Sequence, residues 1–259
     1  MRIALIQHDI AWNNPAETVS RCSRLAQQAS TESAQIMIFP EMFSCGFSFL
    51  CGDDARAAEK ISVDFLSSTA EQHNCFTVGS MPALTKDSDR PLNMIRVFGP
   101  QGLLGEYSKI HLISFLDESQ YYQSGNSLLT LPIGNVCFTF FICFDLRFPD
   151  IFSAAAKRTD CFVVAANWPD TRQAHWEKLL EARAIENQAY VAAVNRVGQG
   201  GKLNFIGGSR VIDPSGKVIA AAGAEEEIVY ATVRSSDVLD YRREFNFLQD
   251  RREDLYRQL

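Results

Sequence analysis

The feature that most constrains the fold is the short apolar run over residues 138–142, which stops abruptly at Cys143. A run of this length is too short to span a membrane and is typical of a buried strand. Pro149 then suits the first turn of a helix, where a missing N–H group costs nothing. Cys143 is therefore predicted to stand at the sharply turned end of a sheet, where the field of the following helix favours the nucleophilic thiolate. The alternative interpretation is that Cys143 is one more small buried residue.

Apolar runs and helical periodicity alternate along the rest of the chain, with turn residues between them. The pattern predicts strands over residues 2–8, 36–40, 76–83, 92–98, 136–143, 160–166, 190–197, 206–212, 217–222 and 227–233. It predicts helices over residues 15–33, 62–74, 149–158 and 175–188, followed by a short helical tail. Strands and helices that alternate in this way are typical of a layered α/β fold.

Glu41 follows a second short apolar run, which ends at a proline. Because ligand sites in open α/β sheets lie at the carboxyl ends of strands, Glu41 and Cys143 are predicted to meet there. A carboxylate walled by Phe39, Met42 and Phe43 would serve as a base toward a thiol. The alternative is a carboxylate that caps a helix or pairs with a surface arginine.

Lys109 lies in a stretch of alternating polarity, between Tyr107 and Ile110. An ammonium that points inward from such a strand would hold the oxyanion of a tetrahedral intermediate, a role usually filled by preorganised donors. The alternative is a lysine whose stem packs against the protein while its head group reaches water.

Taken in order along the chain, these stretches resemble the catalytic motifs of the nitrilase superfamily, the carbon–nitrogen hydrolases with a Glu-Lys-Cys catalytic set. Residues 39–41 are similar to the general-base motif, residues 107–112 to the lysine motif and residues 142–149 to the nucleophile elbow. A fourth block is similar to the region that carries a second active-site glutamate, here Glu118. Two further stretches downstream also fit, so the resemblance covers essentially the whole chain.

The resemblance implies a four-layer α-β-β-α sandwich, with residues 1–259 as a single carbon–nitrogen hydrolase domain and the catalytic residues at one end. An internal echo supports two pseudo-duplicated halves. Residues 96–102 and 210–216 each read as a strand, a Pro-x-Gly turn and a returning strand. Members of the superfamily usually pair across a helical face, which implies a homodimer or a higher homo-oligomer.

The resemblance also implies catalysis by Glu41, Lys109, Glu118 and Cys143. Glu41 would activate the cysteine, which converts an amide to a thioester with loss of ammonia, and water would then hydrolyse the thioester. Lys109 and the backbone N–H after the cysteine would hold the oxyanion. Glu118 would keep the charges aligned.

The residues after the cysteine resemble the ω-amidase branch, because Phe144 stands where true nitrilases commonly have a tryptophan. That branch hydrolyses the terminal amide of α-ketoglutaramate and α-ketosuccinamate. The far carboxylate of such a small-molecule substrate needs a cation, and Arg147 is the candidate, with a structural salt bridge as the alternative. Phe43, Phe144 and Trp168 are expected to wall the pocket, although each could equally belong to the core.

Net charge and cysteine usage bear on the other classes of protein. A net charge of −6 gives no long-range attraction to nucleic acid or to an anionic membrane, and no stretch of about twenty apolar residues could span one. The first residues read as a strand and lack the apolar segment and cleavage site of a signal peptide. Seven cysteines without regular spacing favour a reducing cytoplasm over a disulfide framework. The four histidines are scattered, so neither a metal nor a cofactor is expected.

Other functions remain open from the residues alone. A papain-like cysteine hydrolase would use His111 or His175 as its base. A protein on the same fold could also bind without catalysis, although the four intact catalytic-type residues argue against that. Another amidase or an N-carbamoyl hydrolase of the superfamily is a further alternative. The segment from Ser44 to Arg56 reads as a loop near Glu41 and is a candidate lid.

Overall fold

Strands and helices alternate through the part of the chain that the computed structural model describes, which is residues 1–86, 88–256 and 258. Positions 87, 257 and 259 of the predicted domain lie outside the described residues. The strands are β1 (Arg2–Gln7), β2 (Ile36–Ile38), β3 (Phe76–Thr85), β4 (Ser88–Gly99), β5 (Gly102–Ser108), β6 (Thr130–Ile133), β7 (Val136–Ile142), β8 (Cys161–Ala166), β9 (Tyr190–Asn195), β10 (Val197–Gly200), β11 (Leu203–Ile206), β12 (Arg210–Ile212), β13 (Val218–Ala221) and β14 (Glu227–Thr232). The helices are α1 (Pro15–Thr31), α2 (Gly52–His73), α3 (Glu118–Tyr121), α4 (Pro149–Ala155), α5 (Gln173–Asn187), α6 (Ser235–Glu244) and α7 (Glu253–Tyr256).

The strands form two six-stranded mixed sheets and a separate hairpin of β10 and β11. The first sheet has the order β14-β1-β2-β3-β4-β5, and the second has the order β13-β12-β9-β8-β7-β6. The central strands run parallel, β1 to β3 in the first sheet and β7 to β9 in the second. Glu41 comes shortly after β2 and Cys143 directly after β7, so both follow the carboxyl ends of parallel strands.

The central strands of each sheet are buried on both faces, and their side chains alternate between the two faces. In β1, Ile3 and Leu5 pack into the core shared by the two sheets, whereas Ala4 and Ile6 pack in the core that includes α1 and α2. The sheets meet directly, since Tyr107 of β5 contacts a phenylalanine of β7 with ring centroids 5.9 Å apart. Helices α4 and α5 cover the other face of the second sheet. The order helices, sheet, sheet, helices confirms the predicted four-layer α-β-β-α sandwich.

The two sheets repeat one arrangement, as the internal echo predicts. The hairpin of β4 and β5 extends the first sheet beyond β3, and the hairpin of β12 and β13 extends the second beyond β9. The echoed segments 96–102 and 210–216 carry the turns of these two hairpins. Strand β14 pairs antiparallel with β1, so the second half of the chain completes the sheet of the first half.

Helix α2 begins at Gly52, whereas the sequence pattern predicts a start near residue 62. Its first turns bury Ala55 and Ala58. The acidic residues of the first turn stabilise the helix, because their negative charges lie at the positive end of the helix dipole. The last five residues of the segment from Ser44 to Arg56 are therefore helical, and only the rest is a loop. None of the helices in the described part of the chain combines the length and the apolar composition that a membrane-spanning segment needs.

The predicted strand over residues 206–212 is divided in the structure. Gly207 and Gly208 both have positive φ, which ends β11 before β12 begins. The short strands β6 and β10 to β11 are too brief to show a clear alternation, and the sequence pattern does not predict them as separate elements.

Candidate active site

Glu41 lies in a turn after β2, where the next residue, Met42, has a positive φ of 45°. Its side chain is buried, and hydrogen bonds to both carboxylate oxygens orient it. Oε1 accepts hydrogen bonds from Asn93 Nδ2 at 2.8 Å and from Lys109 Nζ at 3.0 Å. Oε2 accepts from the backbone N–H of Asn167 at 3.0 Å, and the Asn167 side-chain amide donates to the Glu41 carbonyl at 2.5 Å. These donors hold the carboxylate in a single orientation.

Lys109 follows β5 and is fully buried between two carboxylates. Its ammonium donates to Glu41 Oε1 and to Glu118 Oε1, each at 3.0 Å. Burial opposes the charge, but the two carboxylates outweigh it, so the pKa of the ammonium is raised above its usual value. The ring of Phe47 lies 4.9 Å from the nitrogen. Lys109 therefore stays protonated as a fixed positive charge.

Glu118 opens the short helix α3 and is fully buried. Its Oε2 accepts from the backbone N–H of Ile113 at 2.6 Å and from Lys109 Nζ at 3.2 Å. Burial raises the pKa of this carboxyl, Lys109 opposes the rise, and Glu41 adds to it. Glu118 thus contacts the rest of the site through the Lys109 ammonium.

Cys143 stands in a sharp turn after β7, where its positive φ of 42° is strained for a residue with a side chain. Its Sγ–H donates to the carbonyl of Asn167 at 3.7 Å. Burial, with the Glu41 carboxylate adding to it, raises the pKa of the thiol well above its usual value. The resting group is the neutral thiol, so the expected bias toward thiolate is wrong. The 3₁₀ turn Cys143–Arg147 separates the sulfur from α4, which begins at Pro149 as the sequence predicts.

Asp145 ties the cysteine turn to the strand end that carries Lys109. Its buried carboxylate accepts from Tyr107 Oη at 2.6 Å, from the backbone N–H of His111 at 3.0 Å and from that of Ile142 at 3.1 Å. Tyr107 and His111 lie on either side of Lys109 in the sequence. One carboxylate therefore sets the position of the lysine relative to the cysteine.

A cavity of about 260 Å³ opens onto Cys143 and Glu41. Of the predicted pocket residues, Phe144, Arg147 and Trp168 line it. Further wall residues that the sequence did not indicate include Trp12, Phe47, Phe115, Arg172, Leu203 and Phe205. The cavity is thus a small, mainly aromatic chamber that contains two arginines.

Phe43, expected as a pocket wall, does not line this cavity. It is fully buried, and its ring packs on Phe39 and Phe65 with centroids 5.2 Å and 5.7 Å apart. Its backbone N–H donates to the carbonyl of Ser80, which holds the residue in the core that includes α2. Because the chain turns after Glu41, the Glu41 side chain faces the cavity and the Phe43 side chain faces the core.

Arg147 carries no structural salt bridge of the kind the sequence left open. Among the described residues, no carboxylate forms an ion pair with it, and Glu186 pairs with Arg183 instead. The Cζ of Arg147 lies 4.7 Å from the Trp168 ring centroid, and Nη1 lies 3.4 Å from His175 Nδ1. Its charge is therefore left for the cavity.

Neither His111 nor His175, the candidate bases of a papain-like hydrolase, contacts Cys143. His111 Nδ1 lies 2.9 Å from Asp145 Oδ1, and its ring stacks on Phe148 with centroids 3.7 Å apart. His175 lies beside an arginine near the surface. The geometry gives no support to a papain-like cysteine–histidine pair.

Asn93 is a site residue that the sequence reasoning missed. It occupies the inward-facing register of β4 with Ile95 and Val97, and it bridges Glu41 to Ser80, whose Oγ donates to Asn93 Oδ1 at 2.7 Å. An asparagine among inward-facing apolar residues was the available signal, because a buried amide needs partners.

A buried glutamate, lysine and cysteine at the strand ends of a four-layer sandwich define a class of enzyme, the cysteine-dependent hydrolases of carbon–nitrogen bonds. The chain belongs to the carbon–nitrogen hydrolase family, whose sequence model matches residues 2–243.

The similar proteins agree with this assignment. The 2-oxoglutaramate amidase of Bacillus subtilis is 33% identical over 261 residues, which cover 98% of each chain. The omega-amidase NIT2 of Homo sapiens is 32% identical over 271 residues, which cover 98% of this chain and 96% of that one. A CN-hydrolase superfamily protein from Xanthomonas campestris, solved with an arsenic adduct in its active site, matches in structure with a TM-score of 0.89 and 29% identity over 97% of each chain. The resemblance to the nitrilase superfamily and its ω-amidase branch is confirmed.

Proposed function

We propose that this chain hydrolyses the terminal amide of a small keto-dicarboxylate monoamide, α-ketoglutaramate or α-ketosuccinamate, to the acid and ammonia. The observation that carries the proposal is the buried set of Glu41, Lys109 and Glu118 beside Cys143, at a cavity that also contains Arg147. The names of the relatives, 2-oxoglutaramate amidase and omega-amidase, support the same class of substrate.

In the first half of the reaction, the Glu41 carboxylate takes the proton of the Cys143 thiol as the sulfur attacks the amide carbon. Because burial raises the pKa of this thiol, the attack depends on the Glu41 carboxylate to take the proton. The Lys109 ammonium and the backbone N–H of Phe144 hold the oxyanion. Glu41 then gives its proton to the departing nitrogen, the C–N bond breaks, and ammonia leaves a thioester on the cysteine.

In the second half, Glu41 takes a proton from water, whose oxygen attacks the thioester carbon. The oxyanion again lies against Lys109 until the C–S bond breaks, and Glu41 returns the proton to the sulfur. Glu118 acts by position, since its two oxygens lie 3.0 Å and 3.2 Å from the Lys109 nitrogen. The ammonium therefore keeps one orientation through both halves.

At the far end of the substrate, the planar guanidinium of Arg147 suits a carboxylate, which it can hold through two hydrogen bonds. Trp168 packs against that guanidinium and limits its rotation. Together with Phe144, these side chains line a cavity of about 260 Å³, and a cavity of this size favours a small substrate.

The test is ammonia release from α-ketoglutaramate by the purified protein, beside glutamine, asparagine, simple nitriles and N-carbamoyl amino acids. We expect turnover of the keto-acid amides alone, abolished by Cys143→Ala and retained by Cys51→Ala, a matched change at an exposed cysteine. Turnover only of another compound in the panel, or of none, would overturn the proposed substrate.

We further propose that residues 1–259 form one domain that assembles as a homodimer or a higher homo-oligomer. The pairing of β14 with β1 ties the two halves of the chain together. Ile185, Leu239 and Phe245 are 49%, 55% and 57% exposed, and α6 packs beside the end of α5 through Arg242. Large exposed apolar side chains on neighbouring helices suit an interface. Light scattering should give a multiple of the chain mass for the wild type and the single-chain mass for Leu239→Glu; a monomeric wild type would contradict the proposal.

The proposed compartment is the cytoplasm. All seven cysteines are free, and five of them are buried. Free thiols in this number suit a reducing environment. Cell fractionation should recover the protein with cytoplasmic markers, and recovery with an exported fraction would contradict the proposal.

A further inference from the structure

Arg172 is a second cation in the wall of the catalytic cavity. It ends the 3₁₀ turn Asp170–Arg172 and directly precedes α5. Its backbone is fixed at both ends, because its N–H donates to the Pro169 carbonyl at 3.1 Å and its carbonyl accepts from Trp168 Nε1 at 2.8 Å. The start of a fifteen-residue helix at this point adds a positive field to that of the guanidinium.

In the part of the chain that the structure describes, the guanidinium of Arg172 lies against the cavity without an anionic partner. Its Cζ is 5.3 Å from the ring centroid of Phe115, another wall residue. Across the described residues, neither Arg172 nor Arg147 forms an ion pair with a carboxylate, whereas Arg183, Arg196 and Arg210 each do. Burial lowers the pKa of Arg147, and the nearby charge of Arg172 lowers it further.

Within the described part of the chain, the carboxylates at the cavity do not offset this pair of charges. Glu41 is the carboxylate that lines the cavity, and its two oxygens are already bound by Asn93, Lys109 and Asn167. Two like charges that face a small cavity without a counter-charge favour a ligand that brings its own anion.

We propose that Arg172 and Arg147 together form the subsite for the 2-oxo-carboxylate end of the substrate, and that Arg172 determines the preference for a 2-oxo acid over an α-amino acid. This inference rests on the proposed function. A 2-oxo acid presents a carboxylate and an adjacent carbonyl oxygen, all of which accept hydrogen bonds, and two guanidinium groups offer only donors. An amino acid amide such as glutamine keeps the carboxylate but has an ammonium group in place of the 2-oxo group, and both arginines repel that ammonium.

The experiment measures kcat and KM for α-ketoglutaramate, glutaramate, glutamine and pentanamide with the wild type, Arg172→Gln, Arg172→Lys and a control, Arg158→Gln. Arg158 is an exposed arginine that contacts Thr130 and Ala154. We expect Arg172→Gln to raise KM for α-ketoglutaramate roughly 10- to 100-fold, with kcat within about 3-fold of the wild type, because one charged contact is lost in binding. Arg172→Lys should restore part of the affinity, and Arg158→Gln should match the wild type.

The preference for α-ketoglutaramate over glutamine should fall about 10-fold or more in Arg172→Gln. A KM within about 3-fold of the wild type, or a loss confined to kcat, would overturn the role of Arg172 and leave the proposed function standing. If the wild type hydrolyses no keto-acid amide, the proposed function fails, and the comparison of glutaramate with pentanamide decides the subsite separately. A wild-type preference for the anionic amide that disappears in Arg172→Gln would support the arginine subsite, and no such preference would overturn it.

Discussion

At the scale of single residues, Glu41 and Cys143 together make a nucleophile from a thiol that burial keeps neutral. The raised pKa of Cys143 leaves little thiolate at rest, so the sulfur depends on a base at a fixed position. Asn93, Lys109 and Asn167 fix that base through hydrogen bonds of 2.8–3.0 Å. The orientation of Glu41, rather than an acidic thiol, is what the site supplies.

Asn93→Ala tests this dependence. The change removes a donor to Glu41 and leaves the buried hydroxyl of Ser80 without its acceptor. We expect kcat to fall roughly 10- to 100-fold and the free energy of unfolding to fall by about 1–3 kcal/mol, measured by steady-state kinetics and urea denaturation. Asn135→Ala, at an exposed turn, is the control and should change neither quantity appreciably. An unchanged kcat in Asn93→Ala would show that Glu41 needs no such support.

Sequence reasoning reached the residues whose local surroundings are distinctive. Glu41 and Cys143 each follow a short apolar run, Lys109 lies in a stretch of alternating polarity, and the structure brings the three together. Asn93 and Arg172 were missed because the contacts that bring them to the site, with Glu41 and with Phe115, join segments far apart in the sequence. Phe43 shows the converse, since an aromatic residue near a catalytic one can face the core.

At the scale of elements, the stretch after β5 positions Lys109. The backbone N–H of Lys109 donates to the Asn93 carbonyl at 2.9 Å, and its carbonyl accepts from the Gly125 N–H at 2.7 Å. A β-carbon on Gly125 would lie 2.2 Å from the carbonyl oxygen of Ser108. The close approach of these two backbone segments therefore requires a glycine.

Gly125→Ala should displace the segment that carries Lys109. We expect a loss of about 1–3 kcal/mol in the free energy of unfolding, together with a fall in kcat larger than any change in KM, because the oxyanion donor moves. Gly223→Ala is the matched control, since a β-carbon there meets nothing within 4 Å. Urea denaturation and steady-state kinetics measure both variants. Equal behaviour of the two would contradict the close packing at Gly125.

The long strands and helices were predictable because their hydrophobic periodicity extends over many residues. The start of α2 was not, because its first turns bury only small alanines, which carry little hydrophobic signal. The hairpin of β10 and β11 was also missed. Its two four-residue strands pair antiparallel, and the ring of Phe205 packs against the Arg196 guanidinium, a contact that local sequence does not reveal.

At the scale of the whole molecule, the two packed sheets remove several thiols from water. Burial raises the pKa of the Cys45 thiol to about 12 and that of the Cys75 thiol to about 11. A thiol in the unfolded chain titrates near about 8.5. Because the pKa of each thiol is higher in the folded state than in the unfolded state, folding favours the neutral thiol. The stability contributed by the neutral thiols is fully present below about pH 8.5 and is lost as the pH rises through the folded-state pKa.

The free energy of unfolding should therefore fall above about pH 9, by about 1.4 kcal/mol per pH unit for each such thiol. Cys45→Ala should reduce this slope by about one thiol's contribution between about pH 9.5 and 11, as measured by urea denaturation at several pH values. Cys45→Ser is a control that changes stability differently but removes the same titrating group, so its slope should match that of Cys45→Ala. A slope equal to that of the wild type would contradict the account.

The overall architecture was predictable because the ordered motifs resemble those of the nitrilase superfamily, and the internal echo supported its two repeated halves. Repeated strand–turn–strand segments in corresponding halves indicate repeated sheets, and the structure has them. The pairing of β14 with β1 could not be read from the sequence, because local pattern carries no information about a partner more than two hundred residues away.

The most direct test of the central claim is interception of the thioester on Cys143 by hydroxylamine during turnover of α-ketoglutaramate. The account predicts a hydroxamate product beside the acid, in a ratio that rises with hydroxylamine concentration, and loss of both products in Cys143→Ala. Ammonia release with no hydroxamate at any hydroxylamine concentration, or turnover that survives in Cys143→Ala, would contradict it.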